Sequence, residues 1–186
     1  MNIIVEGCDK AGKSTICNDI RDALLPVVPV TFKLTQKPDK DSFFSQQMVV
    51  KIYVEIFGQT FHEWNKEHIF LFDRSYPSEL VYSIKRGYEA MENEDLKALD
   101  LRLGDRKDTL LIYCEVDAET LKKRFKSDKE EYLTEAEIER TLARYENFLK
   151  MTYLPFIRIN SLTDRGENIA VVRKFIRDYE STRNKN

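Results

Sequence analysis

Tryptophan, histidine, cysteine, proline and glycine are all scarce in this chain of 186 residues, at 1, 2, 3, 5 and 6 respectively. Each shortage excludes something. Cys8, Cys17 and Cys114 are an odd number without metal-ligand spacing, so no disulfide framework is implied and reduced thiols in a cytoplasmic setting are expected. His62 and His68 stand on one segment without ligand partners, which argues against a metal centre or a histidine base. No window approaches a membrane span, and the opening residues lack a charged n-region followed by a long apolar stretch, so neither membrane insertion nor secretion is expected. Lysine and arginine number 30 against 32 aspartates and glutamates, a formal charge of −2. A surface that draws nucleic acid over its whole area is thereby excluded, and any basic site must be local. No internal repeat or low-complexity linker interrupts the chain. With 42% hydrophobic residues it holds one good core, so residues 1–186 read as a single domain, with the polar stretch Ser181 to Asn186 as a loose tail.

What is there begins at Asn2. Ile3, Ile4 and Val5 form a short apolar run that leads into a loop where two of the few glycines fall close together. Gly7, Gly12, Lys13 and Ser14 fit G-x-x-x-x-G-K-[ST], a pattern whose glycines let backbone N–H groups close around phosphate oxygens. Lys13 is placed for the β and γ phosphates and Ser14 for Mg²⁺, with Cys8, Asp9, Lys10, Ala11 and Thr15 completing the loop. Ile16, Ile20 and Leu24 recur at helical spacing behind it, which turns the positive end of a helix toward the anion. An exposed Lys13, facing ligand and outside the core, is expected.

Further along, Val27 to Leu34 reads as a second strand, and Thr35 to Lys40 as a polar, basic loop. Ser42 to Phe57 has helical spacing and carries aromatic and amide groups. Ile69 to Phe72 is a short strand ending in Asp73-Arg74, with Pro77 suited to the first turn of the next helix and Gly87 to its end. Glu94 to Leu103 is a helix that Gly104 is expected to stop; Thr109 to Val116 is a strand, and Asp117 can cap the helix from Ala118. Thr134 and Glu137 form a capping box before a long helix through Ile138, Leu142, Tyr145 and Leu149. Phe156 to Ile159 and Ile169 to Tyr179 supply the last strand and helix. Alternating strands and helices imply an α/β fold with a parallel sheet, and ligands then bind beyond the carboxyl ends of the strands, where Gly7, Lys37, Asp73 and Asp117 fall.

The loop ValGluGlyCysAspLysAlaGlyLysSerThr and the segment AspArgSerTyrProSerGluLeuValTyr, residues 73 to 82, resemble the thymidylate kinases and their relatives the deoxynucleoside kinases, and the resemblance covers most of the chain. It implies a P-loop kinase fold, a five-stranded parallel sheet flanked by helices on both faces, with a small basic lid at about 122–133 that contains Lys122, Lys123, Arg124, Lys126 and Lys129. It further implies ATP and Mg²⁺ as cofactors. Lys10 and Arg124 would face the transferring phosphoryl group, Arg74 and Ser78 the acceptor, Asp73 the Mg²⁺ shell, and Asp9 with Tyr82 the sugar. Ser75 departs from the thymidylate-kinase pattern D-R-[YH]-x-x-S at its third place. A homodimer is implied through helices beside the sheet, which Tyr53 to Trp64 and Tyr76 to Arg86 can supply. The compact length is compatible with a viral or phage member, working in the host cytoplasm.

A nucleoside 5′-hydroxyl must lose a proton as it attacks, which calls for a carboxylate near the end of the second strand; Lys37-Pro38 stands there, and a lysine binds phosphate. A nucleoside monophosphate kinase, with dTMP as first acceptor, is therefore expected. For the base, Tyr53, Phe57 and Gln59 are candidates, since a flat pyrimidine needs a stacking ring and an edge partner. Two readings stand beside this one: a deoxynucleoside kinase, and a regulatory protein that binds ATP without phosphorylating anything. In each the partners are small nucleotides, with no nucleic acid and no membrane.

Overall fold

The computed structural model describes residues 1–24, 27–30, 43–60, 68–83, 93–127 and 133–183. Strand β1, Asn2–Glu6, is buried at every position and is the axis of the sheet. It pairs in parallel with β3, Ile69–Asp73, on one side and with β4, Thr109–Glu115, on the other. Strand β2, Val27–Val30, lies outside β3, and β5, Phe156–Asn160, outside β4, so the order is β2-β3-β1-β4-β5. Every pairing is parallel, so each connection crosses over, and helices are what it crosses with. They are α1, Lys13–Ala23; α2, Phe43–Thr60; α3, Tyr76–Tyr82; α4, Glu94–Arg106; α5, Ala118–Ser127; α6, Glu135–Met151; and α7, Arg165–Arg183.

Side chains of the central strands alternate between two buried layers, as a sheet covered on both faces requires. Ile3, Val5, Leu110 and Ile112 face Ile16 and Ile20 of α1, Leu121 of α5 and Val172 and Ile176 of α7. Ile4, Phe72, Leu111 and Tyr113 face Phe57 of α2, Leu80 of α3, Leu99 and Leu103 of α4, and Tyr145 and Phe148 of α6. No helix among the described residues is long and apolar enough to cross a membrane.

Helix starts follow the sequence closely except at α7, which begins at Arg165, a turn before the expected Ile169. Thr134 and Glu137 form the expected reciprocal box at α6, and Asp117 accepts the Thr120 N–H at 2.8 Å to open α5. Two ends differ. Gly104 does not stop α4, which continues to Arg106 and ends on Lys107 at φ 52. Gly104 is there for close packing: a Cβ on it would meet the Tyr153 carbonyl oxygen at 2.7 Å. Likewise Ser181 to Arg183, expected as part of a loose tail, complete α7. Positions 31 to 34 of the expected second strand, and Gly87, lie outside the described residues.

Candidate active site

The loop after β1 turns on two glycines, Gly7 at φ 148 and Gly12 at φ 93. Both positions admit no side chain, since a Cβ on Gly7 would meet the Cys114 carbonyl oxygen at 2.7 Å and one on Gly12 the Ser161 Cβ at 2.7 Å. Gly12 also begins α1 and offers no side chain to cap it, and backbone N–H groups at such a helix start suit an anion. Lys10, at φ 65, holds a left-handed conformation that disfavours a side chain by about 1 kcal/mol or more, a strain kept only where the surroundings impose it.

Lys13 differs from expectation. It is 7% exposed, and its Nζ donates to the Cys8 carbonyl at 2.8 Å. The cation expected to face outward is instead buried against the backbone of its own loop. Burial, then the nearby Arg74, lowers its pKa from the ordinary lysine value. Ser14 is exposed, and its hydroxyl donates to Asp73 Oδ2 at 3.1 Å. A hydroxyl and a carboxylate side by side are the hard-oxygen set that Mg²⁺ takes together with phosphates and water.

The β3–α3 turn faces the loop. Arg74 sits there at φ 71, ion-paired to Asp9 of the loop, donating to Ser78 Oγ at 2.9 Å and to the Tyr145 hydroxyl at 3.3 Å. Its guanidinium lies 5.1 Å over the ring of Tyr82, whose hydroxyl accepts the Asp9 N–H at 3.2 Å. Asp9, Asp73, Arg74, Ser78 and Tyr82 are thus brought together with Lys13 and Ser14 at one end of the sheet.

Arg124, on α5, reaches the loop from the other side, donating to the Lys10 carbonyl at 2.7 Å and to Ser161 Oγ at 3.2 Å. The expected lid divides. Residues 122 to 127 are the last turns of α5, and Lys122 is turned away toward α6, paired with Glu135 and Glu139 at 3.2 Å each. Positions 128 to 132, with Lys129, lie outside the described residues.

The base-binding candidates do not assemble. Phe57 is fully buried, stacked on Phe72 at 4.9 Å and edge-on to Tyr76 at 6.1 Å, so it has no face for a ligand. Tyr53 is buried in the same layer. An aromatic at helical spacing packs on the core first, and here both do. The Gln59 side chain and Lys37 lie outside the described residues.

Sequence reasoning missed two groups. One is Glu6, fully enclosed at the end of β1, which accepts the Ser75 N–H at 2.7 Å, the Ser78 hydroxyl at 2.7 Å and the Tyr145 hydroxyl at 3.0 Å. Desolvation raises its pKa above the ordinary 4.5 against the pull of Arg74 and these donors. A charged residue inside the run IleIleValGluGly was the available signal. The other is the β5–α7 loop, which walls a cleft of about 480 Å³ with Ser161, Thr163, Arg165 and Asn168 against Lys10, Arg124 and the start of α1. Arg165 is held by Asp19 of α1, its Nε 3.0 Å from both carboxylate oxygens, and Asn168 bonds the Asn160 carbonyl at 3.1 Å. No motif marks these residues. A separate hollow of about 550 Å³ between α4 and α6, lined by Leu101, Met151 and Tyr153 among others, shares none of this chemistry. Nor do the thiols offer any: all three are buried, and burial, with Asp9 beside it, pushes Cys8 up to about 11.

No family model matches the chain, and no curated protein matches its sequence. Solved structures do. The YorR protein of Bacillus subtilis, in complex with phosphorylated GDP, superposes with a TM-score of 0.72 at 19% identity, covering 98% of each chain. Deoxyadenosine kinase from M. mycoides, with dCMP and dCDP bound, gives 0.62 at 22% identity, covering 96% of this chain and all of that one. Thymidylate kinase from Candida albicans gives 0.57 at 16% identity, covering this chain entirely and 93% of that one. From end to end, the chain has the fold of the P-loop kinases.

Proposed function

We propose that this protein is a phosphotransferase that moves the γ-phosphoryl group of ATP to the phosphate of a nucleoside monophosphate, with dTMP the first candidate. The observation that carries the reading is the pairing of two cations across one site: Lys13 at the centre of the glycine loop and Arg74 opposite it, with Ser14 and Asp73 between. Phosphoryl transfer needs little covalent help from the protein. An oxygen of the acceptor phosphate bonds to the γ-phosphorus as the bond to the β–γ bridging oxygen breaks, and the enzyme holds the partners in line and balances their charge. Lys13, Lys10 and Arg124 suit the transferring group; Arg74 suits the acceptor phosphate, and Asp9 with Tyr82 the sugar. Mg²⁺, held by Ser14 and Asp73, would neutralise phosphate oxygens.

Support for a phosphate acceptor over a hydroxyl comes from the carboxylates. Among the described residues, Asp9 is paired with Arg74, Asp73 with Ser14, and Glu6 is enclosed by its donors, so each of these three is already committed; the end of the second strand, where Lys37 stands, lies outside them. A 5′-hydroxyl requires a carboxylate placed to take its proton, whereas a phosphate arrives as an anion and meets Arg74. The test is to supply ATP and Mg²⁺ with a panel of nucleosides and monophosphates and to measure ADP. Turnover with monophosphates alone is expected. Turnover with nucleosides alone replaces the reading with a deoxynucleoside kinase, and none with any acceptor leaves an ATP-binding protein.

A further inference from the structure

The ring of Tyr145 needs no special account. It is fully buried, 5.3 Å from the ring of Tyr113 and edge-on to Tyr82 at 6.2 Å, and phenylalanine would fill the same space. The hydroxyl does need one, because a buried O–H is unfavourable unless it finds partners. It lies 3.0 Å from Glu6 Oε2 and 3.0 Å from the Gly7 carbonyl oxygen, with one proton to serve either, and it accepts from Arg74 at 3.3 Å. Ser78 Oγ is a further 3.5 Å neighbour. One atom of α6 therefore touches the end of β1, the start of the phosphate loop and the turn that carries Arg74.

The adjacent residue strengthens the pattern. Arg144 donates to the Val81 carbonyl at 2.8 Å, to the Leu80 carbonyl and to Ser83 Oγ at 3.3 Å, all at the carboxyl end of α3. So α6 grips α3 at its far end through Arg144 and at its near end through Tyr145. Helix α3 spans only seven residues, too few to hold itself, and the arginine before it is in a strained left-handed conformation that the surroundings must impose.

We propose that Tyr145 is a positioning residue whose hydroxyl fixes Arg74 relative to Gly7, so that the acceptor-side cation and the phosphate loop keep one geometry through the reaction. The inference rests on the phosphotransferase reading above. It assigns to α6, which the sequence marks only as core, the alignment of the two halves of the site. Alignment is where transfer is sensitive, since small displacements of reacting groups lower the rate steeply.

Tyr145→Phe removes the hydroxyl and leaves the ring. With wild-type turnover of a monophosphate as reference, Y145F should lower kcat/KM for the acceptor by about tenfold, the worth of one hydrogen bond to a charged network, while KM for ATP stays within about twofold. In an Arg74→Ala background the same change should do almost nothing, because Tyr145 acts through Arg74. Losses that multiply in the double variant, or a lower melting temperature with unchanged acceptor kinetics, would show a purely structural hydroxyl and overturn the inference alone. Absence of wild-type transfer to any acceptor removes the parent reading and this inference with it. Should Y145F not fold, Ser78→Ala, which removes the other hydroxyl shared by Glu6 and Arg74, must show the same dependence on Arg74 or the inference is wrong.

Discussion

The two flanks of the phosphate loop are built differently. On the β3 side, Arg74, Glu6, Ser78 and Tyr145 form a network in which protein groups answer one another, closed off beneath α6. On the β5 side the contacts reach across an open cleft: Arg124 to the Lys10 carbonyl and to Ser161, and Arg165 to Asp19, the arginine side chain 68% exposed and the carboxylate 7%. The first flank is set before any ligand arrives. The second holds its cation on a backbone carbonyl, which on the proposed function a phosphate oxygen would replace. Substitutions on the β3 side should therefore change stability and chemistry together, and that of Arg124 on the β5 side chemistry alone.

The largest effect belongs to the residue between the flanks. Lys13→Met should cost turnover at least about a thousandfold, since an electrostatic partner of the transferring group is lost. It should leave the melting temperature unchanged or higher, because a buried ammonium with a lowered pKa is replaced by an apolar chain of similar size. Steady-state ADP release and a thermal melt read both, and a marked fall in stability would mean the ammonium holds the loop together. Next, Arg74→Ala should lower kcat/KM for the acceptor by about a hundredfold. It should also destabilise the fold, leaving Asp9 and Glu6 without their cation. A melt equal to wild type would break the contrast between flanks.

Arg124→Ala should lower kcat/KM for ATP by about tenfold and move the melting temperature by no more than about 2 °C. A larger thermal shift would put the β5 flank in the same class as the other. The smallest effect is one of slope. Desolvation raises the folded pKa of Glu6 above 4.5, so the unfolded chain releases that proton first, and wild-type stability falls as pH rises from 4.5 through the folded value. Glu6→Gln has no proton to lose. Urea unfolding across that window should show the variant gaining on wild type as pH rises and then running parallel to it. The reverse slope would mean that Arg74 and the donors outweigh burial.

Local signals made most of the frame legible. The apolar run Ile3 to Val5, the glycine loop, the Thr134–Glu137 box and the carboxylates at strand ends each fix their own conformation, and all are found where short-range chemistry puts them. The site was legible where one segment carried both residue type and spacing, as with Ser14 and Asp73-Arg74. It was not legible where partners are distant: Glu6 is answered by Ser75, Ser78 and Tyr145, from two later elements. Lys13 was expected to be exposed because a motif records its place along the chain and not the backbone that folds over it. Phe57 is a ring on which a flat base could stack, and the sequence does not show that Phe72 already covers it.

The approach of Gly12 to Ser161 has a further consequence. The outer wall of the cleft is contributed by the connection that follows β5, an edge strand that comes later in the chain than the other four strands. A nascent chain released only as far as α6 carries the whole glycine motif and still lacks the surface that shapes its far side. The cleft is thus complete only once β5 docks on β4, and a product truncated before β5 is left with the signature and no finished receptacle.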